Sequence, residues 1–278
     1  MLVPELVGRV RVREGPYFAD SGDFPDAGSA RLGIVLGPWS GVELFANAGQ
    51  GFDSNDARGV ETTVDPSSGA AVEPADPLAR TDGAELGARG VFGELHSSLA
   101  LGLLDSEDEV VFENDAGATL PNREARRHGF EHANDRQLAP SWTLALDAAR
   151  SRARLLDGAS NTEHAPGAPE TVHSLTLTWL PRENAFAALR ARHFGPRDLT
   201  TDGRERSSES TLVHLQAGWR IDSRWTVELD LSNLLDEDAN ESEAFYSSQL
   251  AGEPTPVADT HFHPTEGRTL RARIAASW

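Results

Sequence analysis

The stretch His128-Gly129-Phe130-Glu131-His132 has the clearest claim to chemistry in this chain. H-x-x-E-H is a zinc-peptidase string, in which two imidazoles hold the metal and the carboxylate serves as general base. That chemistry needs a helix, which brings side chains four residues apart onto one face. Here Gly129 interrupts the string and the flanking residues alternate as in a strand. In a strand, residues four apart are about 13 Å apart and cannot share one ion. Strand geometry is therefore expected, with both imidazoles on one side and out of reach of a common metal. A zinc hydrolase using His128, Glu131 and His132 is the alternative this pattern opposes.

Two other clusters contain metal-ligand residue types. Asp236, Asp238 and Asn240 begin like a calcium loop, but Glu241 stands where that loop needs glycine and Ser247 where it needs a bidentate glutamate. A solvated acidic loop is the better reading. Asp259, His261 and His263 alternate, so an extended backbone would place all three on one face. They are the candidate ligand-binding residues, suited to a metal or a metal chelate. No Ser/His/Asp order, phosphate loop or carboxylate pair stands out, so no catalytic residue, resident metal or cofactor is assigned. The chain is not read as an enzyme.

Composition narrows the choice further. The 278 residues carry a formal net charge of −19 and no cysteine. A nucleic-acid partner would need a basic footprint, so it is excluded. Disulfides and thiol chemistry are excluded too. No apolar run approaches the roughly 20 residues of a spanning helix. Residues 1–20 do not show the basic start, apolar centre and small-residue cleavage site of an export signal.

The elements that must carry these residues are strands. Trp225, Val227, Leu229 and Leu231 alternate with Thr226, Glu228, Asp230 and Ser232. Leu270, Ala272, Ile274 and Ala276 repeat the pattern up to the terminal Trp278. Period two gives strands with one oily and one polar side. About eleven such segments follow Ala30, most near the 9–11 residues that cross a bilayer when tilted. Short turns at 38–41, 93–94, 138–140, 181–183 and 222–224 alternate with longer loops at 53–80, 114–122, 157–169, 195–210 and 236–267. A soluble sandwich has no reason to gather all its long loops at one end. An outer-membrane barrel does. The six tryptophans lie near turns or strand ends, where an interfacial girdle would sit.

With this organisation established, particular strings resemble TonB-dependent outer-membrane receptors. Phe45-Ala46-Asn47-Ala48-Gly49-Gln50-Gly51-Phe52, continued by Ser54-Asn55-Asp56-Ala57-Arg58-Gly59, resembles a barrel motif of one branch of that family. Asn233-Leu234-Leu235-Asp236 resembles the family's Asn-Leu-Phe-Asp, with Leu235 in place of Phe. Arg127-His128-Gly129-Phe130-Glu131 resembles its Arg-x-Gly-apolar-Glu strand opening. Pro4-Glu5-Leu6-Val7, Arg9-Val10-Arg11-Val12, Gly15-Pro16-Tyr17-Phe18-Ala19-Asp20, Gly22-Asp23-Phe24 and Ala27-Gly28 resemble the close of the family's plug domain.

The resemblance implies an all-β, antiparallel transmembrane barrel portion, open or incomplete, over residues 31–278, joined near Ser29–Arg31 to a plug remnant over 1–30. The signal peptide, the TonB box, most of the plug and the first half of the barrel are not seen, as in an internally deleted or truncated gene. The implied function is outer-membrane uptake of a ferric siderophore, metal complex or similar nutrient. The implied partners are outer-membrane lipid, the TonB complex and a small metal chelate. A β-sheet protein that binds without transporting is the alternative from another class. Leu144, Leu177, Leu215, Leu229 and Ile274 should then face lipid, and Asp147, Thr176, Gln216, Glu228 and Arg273 the lumen. The two candidate edges should lie near Leu32–Leu36 and Leu270–Trp278, giving either a curved open half-barrel or a smaller barrel closed by pairing them, and residues 1–30 should be poorly packed.

Overall fold

A computed structural model describes residues 7–16, 28–54, 61, 63–64, 69–71, 74, 76–113, 118–156, 163–182 and 184–277. The elements of its main sheet are β1 (Val7–Pro16), β2 (Gly28–Trp39), β3 (Val42–Ser54), β4 (Leu78–Phe92), β5 (Leu95–Glu113), β6 (Ala118–Ala139) and β7 (Trp142–Leu155). After a two-residue β8 (Glu163–His164) come β9 (Thr171–Arg182), β10 (Ala185–Phe194), β11 (Ser210–Arg220) and β12 (Trp225–Ser232). β13 (Asn240–Ser248) and β14 (Val257–Pro264) pair apart from the sheet, and β15 (Thr269–Ala276) closes the series.

The main sheet has 13 strands in the order β1 to β7, β9 to β12, then β15, with β8 attached only to β7. Every pairing in it is antiparallel and every neighbour on the path is the next main-sheet strand in sequence. β1 and β15 are not paired to each other among the described residues, so the sheet is open. Among the described residues, no helix is long and apolar enough to cross a membrane.

Registration sorts the side chains as period two requires. Leu144, Leu177, Leu189, Leu215, Leu231 and Leu270 stand directly opposite one another across six strands. Leu229 and Ile274 share their face by alternation. The other face carries Asp147 opposite Ser174, Thr176 opposite Arg190, Gln216 opposite Asp230 and Glu228 opposite Arg273. The two sets named from the sequence thus fall on opposite faces of one sheet.

The short turns lie at one end, at Ser40-Gly41, Gly93-Glu94, Pro140-Ser141 and around 221–224. Trp39, Trp142, Trp179, Trp219 and Trp225 lie beside them with 39–55% of their surface exposed. Trp142 and Trp179 are register partners and stack at 5.8 Å. Trp278 lies outside the described residues.

Three expectations are corrected. First, Leu32–Leu36 is not an edge. β1 pairs with β2 from Val7↔Leu36 to Pro16↔Gly28, so that edge passes to β1. Second, residues 7–16 and 28–30 are not loose but hydrogen-bonded into the sheet; residues 1–6 and 17–27 lie outside the described residues. Third, the stretch 236–267 is not one irregular loop. Alternation in Glu243–Ser247 and Val257–His263 forms the β13–β14 hairpin, with Gly252 at φ +99° in the loop between its strands. β6 also runs further than its sequence pattern indicates, from Ala118, inside the expected 114–122 loop, to Ala139, and its neighbours likewise lengthen. Cross-strand hydrogen bonding extends them past the point where alternation stops.

Close packing between strands needs glycine at particular points. A Cβ on Gly129 would lie 2.2 Å from the Arg150 carbonyl oxygen, which belongs to the neighbouring backbone. Gly87 and Gly218 each face a register-partner aromatic, Phe45 and Phe186, whose ring covers the bare backbone. Gly129→Ala should therefore destabilise the sheet by about 1–3 kcal/mol, as overpacking does. The check is the urea midpoint of the detergent-folded chain. An unchanged midpoint would show that β6 and β7 separate freely there.

Candidate functional site

A sheet with oily and polar faces has little interior of its own. Among the described residues, the buried apolar side chains are Ala79, Ala125, Leu155, Ala165, Leu199 and Ala239, and the buried polar ones Ser106, Asp198, Ser207 and Asn233. All ten lie at the end of the sheet that carries the long loops. Leu155 and Ala125, at the loop ends of β7 and β6, form a small cluster with Ala165.

Two loops build on that cluster. Residues 196–207 fold back on themselves. Leu199 N donates to Glu205 O at 2.8 Å, Ser207 N to Arg197 O at 2.9 Å, and Gly203 at φ +67° makes the tip. The Thr200 hydroxyl, and after it the Arg204 amide, hold the Asp202 carboxyl below its usual range. The 163–170 segment docks on this hairpin through backbone bonds, His164 N to Thr201 O and Gly167 N to Asp198 O, both 2.8 Å.

Side chains complete the junction. Asp198, with 7% of its side chain exposed, accepts from His164 Nδ1 on one side and from Arg206 Nε at 3.2 Å on the other. Arg206 Nη2 also donates to Glu170 Oε2 at 2.7 Å and to Pro196 O at 3.0 Å. One ligating atom each of His164, Glu170 and Asp198 lies within 4.8 Å of the others, the spacing of a cation site. The Arg206 guanidinium already bonds to both carboxylates, so the arrangement as it stands is an ion-pair staple between two loops. None of these four residues stood out in the sequence. The turn chemistry of Pro196–Gly203 was visible, but a contact between loops some thirty residues apart has no local signature.

The residues singled out from the sequence lie on the neighbouring hairpin and elsewhere. Asp259, His261 and His263 do share one face of β14. His261 stacks on Tyr246 with ring centroids 3.8 Å apart, and its Nε2 lies 3.2 Å from Ser248 Oγ. His263 Nδ1 approaches Glu241 Oε2 at 3.3 Å, and Asp259 Oδ1 accepts from the Thr260 amide. They form an aromatic, imidazole and carboxylate surface rather than a closed cage. This hairpin is tied to the other loops where Ser208 N donates to Glu243 Oε2 at 2.7 Å.

His128 and His132 sit in β6, on one face and opposite Leu103 and Leu99, while Glu131 lies on the other face. The hydrolase geometry is absent. His132 instead lies 3.0 Å from Asn134 Nδ2. Asp236, the first residue of the calcium-like string, bonds elsewhere in the chain. Its carboxylate caps Arg268 N at 2.8 Å, where β15 begins.

The polar face carries a separate feature, a shallow trough of about 850 Å³. Gly33, Asn47, Glu85, Gly102, Gly129 and Ser151 are successive register partners across six strands at its floor. Asn47 Nδ2 donates to Glu85 Oε1 at 3.0 Å, and Glu43 and Arg89 pair at 2.7 Å nearby. The small residues leave room for a bulky neighbour on this face.

An open meander with one apolar face, a polar face of small residues and charges, girdling tryptophans and one loop-bearing end is the build of a receptor barrel. The family described as TonB dependent receptor-like, beta-barrel, matches residues 10–234. The chain belongs to the TonB-dependent receptors. That match begins at Val10, inside the stretch that resembles the plug.

Solved structures agree on the fold. The copper transporter OprC aligns at TM-score 0.70 and 17% identity over 90% of this chain and 39% of its own. The ferric yersiniabactin uptake receptor FyuA from Yersinia pestis gives 0.66 and 15% over 90% and 37%. The ferric-catecholate import receptor Fiu from K12 E. coli gives 0.63 and 18% over 90% and 35%. The chain thus spans little more than a third of the length of these proteins.

The staple makes a direct prediction. Arg206→Ala leaves the buried Asp198 without its guanidinium, at a local cost of about 1–3 kcal/mol. Proteolysis within 196–207 should accelerate several-fold while the strands stay protected. Unchanged cleavage would mean that the backbone bonds hold the loops unaided.

Proposed function

We propose that this chain is part of an outer-membrane receptor of a Gram-negative bacterium that takes up a metal chelate such as a ferric siderophore, with energy supplied through the TonB complex. The observation carrying this reading is the match of residues 10–234 to the receptor barrel family. The faces agree with it. Unpaired backbone is prohibitively costly in lipid, and a closed antiparallel barrel with an apolar outside and a polar inside is one of two architectures that satisfy it; the two faces of this open sheet suit it to be a portion of such a barrel. The similar structures include receptors for ferric catecholate and ferric yersiniabactin and a copper transporter, which supports a metal complex as the class of ligand.

The loop end would meet the ligand. Asp259, His261 and His263, with Tyr246 beside them, offer the oxygen, nitrogen and aromatic contacts that a metal chelate requires. The neighbouring staple would hold the loops in place around it.

Binding of ferric catecholate, ferric hydroxamate and cupric complexes to the folded chain tests this reading. One class should bind, and the double substitution His261→Ala/His263→Ala should weaken it at least about tenfold, or about 1.4 kcal/mol. Uptake of that complex by cells carrying the gene should stop when the TonB complex is disrupted. Binding that persists with uptake indifferent to TonB would favour a β-sheet protein that binds without transporting. Failure to bind any chelate would remove the reading.

A further inference from the structure

The apolar face is not apolar along its whole height. Up β7 from the turn end it presents Trp142, Leu144, Leu146 and Ala148, then Arg150, Arg152 and Arg154. Register places Phe130 opposite Arg150, His128 opposite Arg152 and Arg126 opposite Arg154 on β6. One strand further, Leu101, Leu103 and Asp105 stand opposite Phe130, His128 and Arg126. The same face therefore passes from leucine and phenylalanine to a basic block as it nears the loops.

Of these groups, only Arg126 has an acidic partner among the described residues, its Nε and Nη2 bonding Asp105 at 2.6 and 2.8 Å. Arg150 and Arg152 are exposed and Arg154 is half-buried, and none of the three has an acidic or hydrogen-bonding side-chain partner among the described residues. In a chain with net charge −19, three adjacent arginines with no acid bonded to them among the described residues make a local basic block.

Their height is informative. Strands rise about 3.3 Å per residue and tilt by about 40°, so Arg150, Arg152 and Arg154 lie roughly 20, 25 and 30 Å above Trp142. An apolar band is about 25 Å tall. The three straddle its upper edge, where lipid headgroups meet acyl chains. Leu146 is exposed below them, and Phe130 and Leu101 are exposed level with Arg150, the lowest of the three. An apolar patch under a cluster of guanidinium forks matches a lipid with anionic phosphate above and acyl chains beneath.

We infer that Arg150, Arg152 and Arg154, flanked by His128 and Arg126, form a seat for the phosphorylated headgroup of an outer-leaflet lipid. The bound lipid would supply counter-charge to the three guanidinium groups. It would also cover the face of β6 and β7 just below the stapled loops, linking lipid composition to the rigidity of the ligand end. The inference rests on the membrane reading above, which places this face in lipid.

The test uses the 278-residue chain folded in detergent micelles, with diphosphoryl lipid A and a phosphate-free glycolipid of equal acyl content as probes. Retention is read by native mass spectrometry, and membrane contact separately by quenching of Trp142 and Trp179 with brominated lipid. The wild-type chain should retain lipid A over the phosphate-free lipid. Arg150→Gln/Arg152→Gln/Arg154→Gln should lose at least about fivefold per arginine near the surface. The corresponding Lys triple should keep much of the retention, and Arg271→Gln/Arg273→Gln on the polar face should keep all of it. Equal tryptophan quenching in each variant shows that it still inserts. Equal retention by wild type and the Gln triple, with quenching intact, overturns the lipid seat alone. Absence of quenching in the wild type overturns the membrane reading and the seat together.

Discussion

The rest of the structure depends on the antiparallel backbone ladder. A globular domain shares its stability between hydrogen bonds and a packed interior. This sheet has no interior, because one face is oily and exposed and the other lines a polar space. Each strand between the two edges is held by its two neighbours, and the leucine row from Leu144 to Leu270 is continuous only because the registers agree across every pair. In water such a face would be a liability for aggregation. In lipid it is the solvent-compatible surface, and the ladder becomes indispensable because no water can replace a lost bond.

The consequence is an inverted distribution of burial. Ordinary packing is confined to the loop end, where Leu155, Ala125 and Ala165 make a small core and Asp198 is enclosed between His164 and Arg206. The loops of this protein are therefore its most protein-like part. They bury a charge, satisfy it from two sides and join segments distant in sequence. The turn end has no buried side chain among the described residues and relies on stacked, half-wet tryptophans such as Trp142 and Trp179. The two ends face different demands. One must hold a shape against a ligand, and the other must sit at an interface.

Much of this was legible because the governing signal is local. Alternation in Trp225–Ser232 fixes a strand and its faces at once, and a one-residue slip would turn every side chain over. The alternation of short and long connections is equally plain in the turn residues. The strand setting of His128 to His132 followed from Gly129 and its flanks. What could not be read is of two kinds. The attachment of β1 to β2 is a pairing between segments, and nothing in either stretch forbids another partner. The His164, Glu170, Asp198 and Arg206 staple joins two loops, each of which reads alone as polar turn chemistry. The β13–β14 hairpin is a different case. Its alternation was present in the sequence but was overshadowed by the polar and proline-rich residues between its strands.

The Asn-Leu-Leu-Asp string shows how a short motif can tolerate a change at one position and not at its neighbours. Asn233 is 2% exposed and adopts φ +48°, a conformation asparagine bears better than most side chains. Its amide donates to Glu237 O at 2.9 Å and Glu266 O at 3.3 Å, while its oxygen accepts from Glu237 N at 2.9 Å. Asp236, at φ +59°, caps the amide of Arg268 where the chain re-enters the sheet. Together they tie both feet of the 233–268 excursion to the top of β12 and β15. Of the two residues between them, Leu235 is 64% exposed. The motif's work is done by backbone conformation and hydrogen bonding at its two ends, so exchanging phenylalanine for leucine at the exposed position leaves that work untouched. The same two residues hold the hairpin carrying His261 and His263 over the loop end, so its placement depends on groups about thirty residues away along the chain.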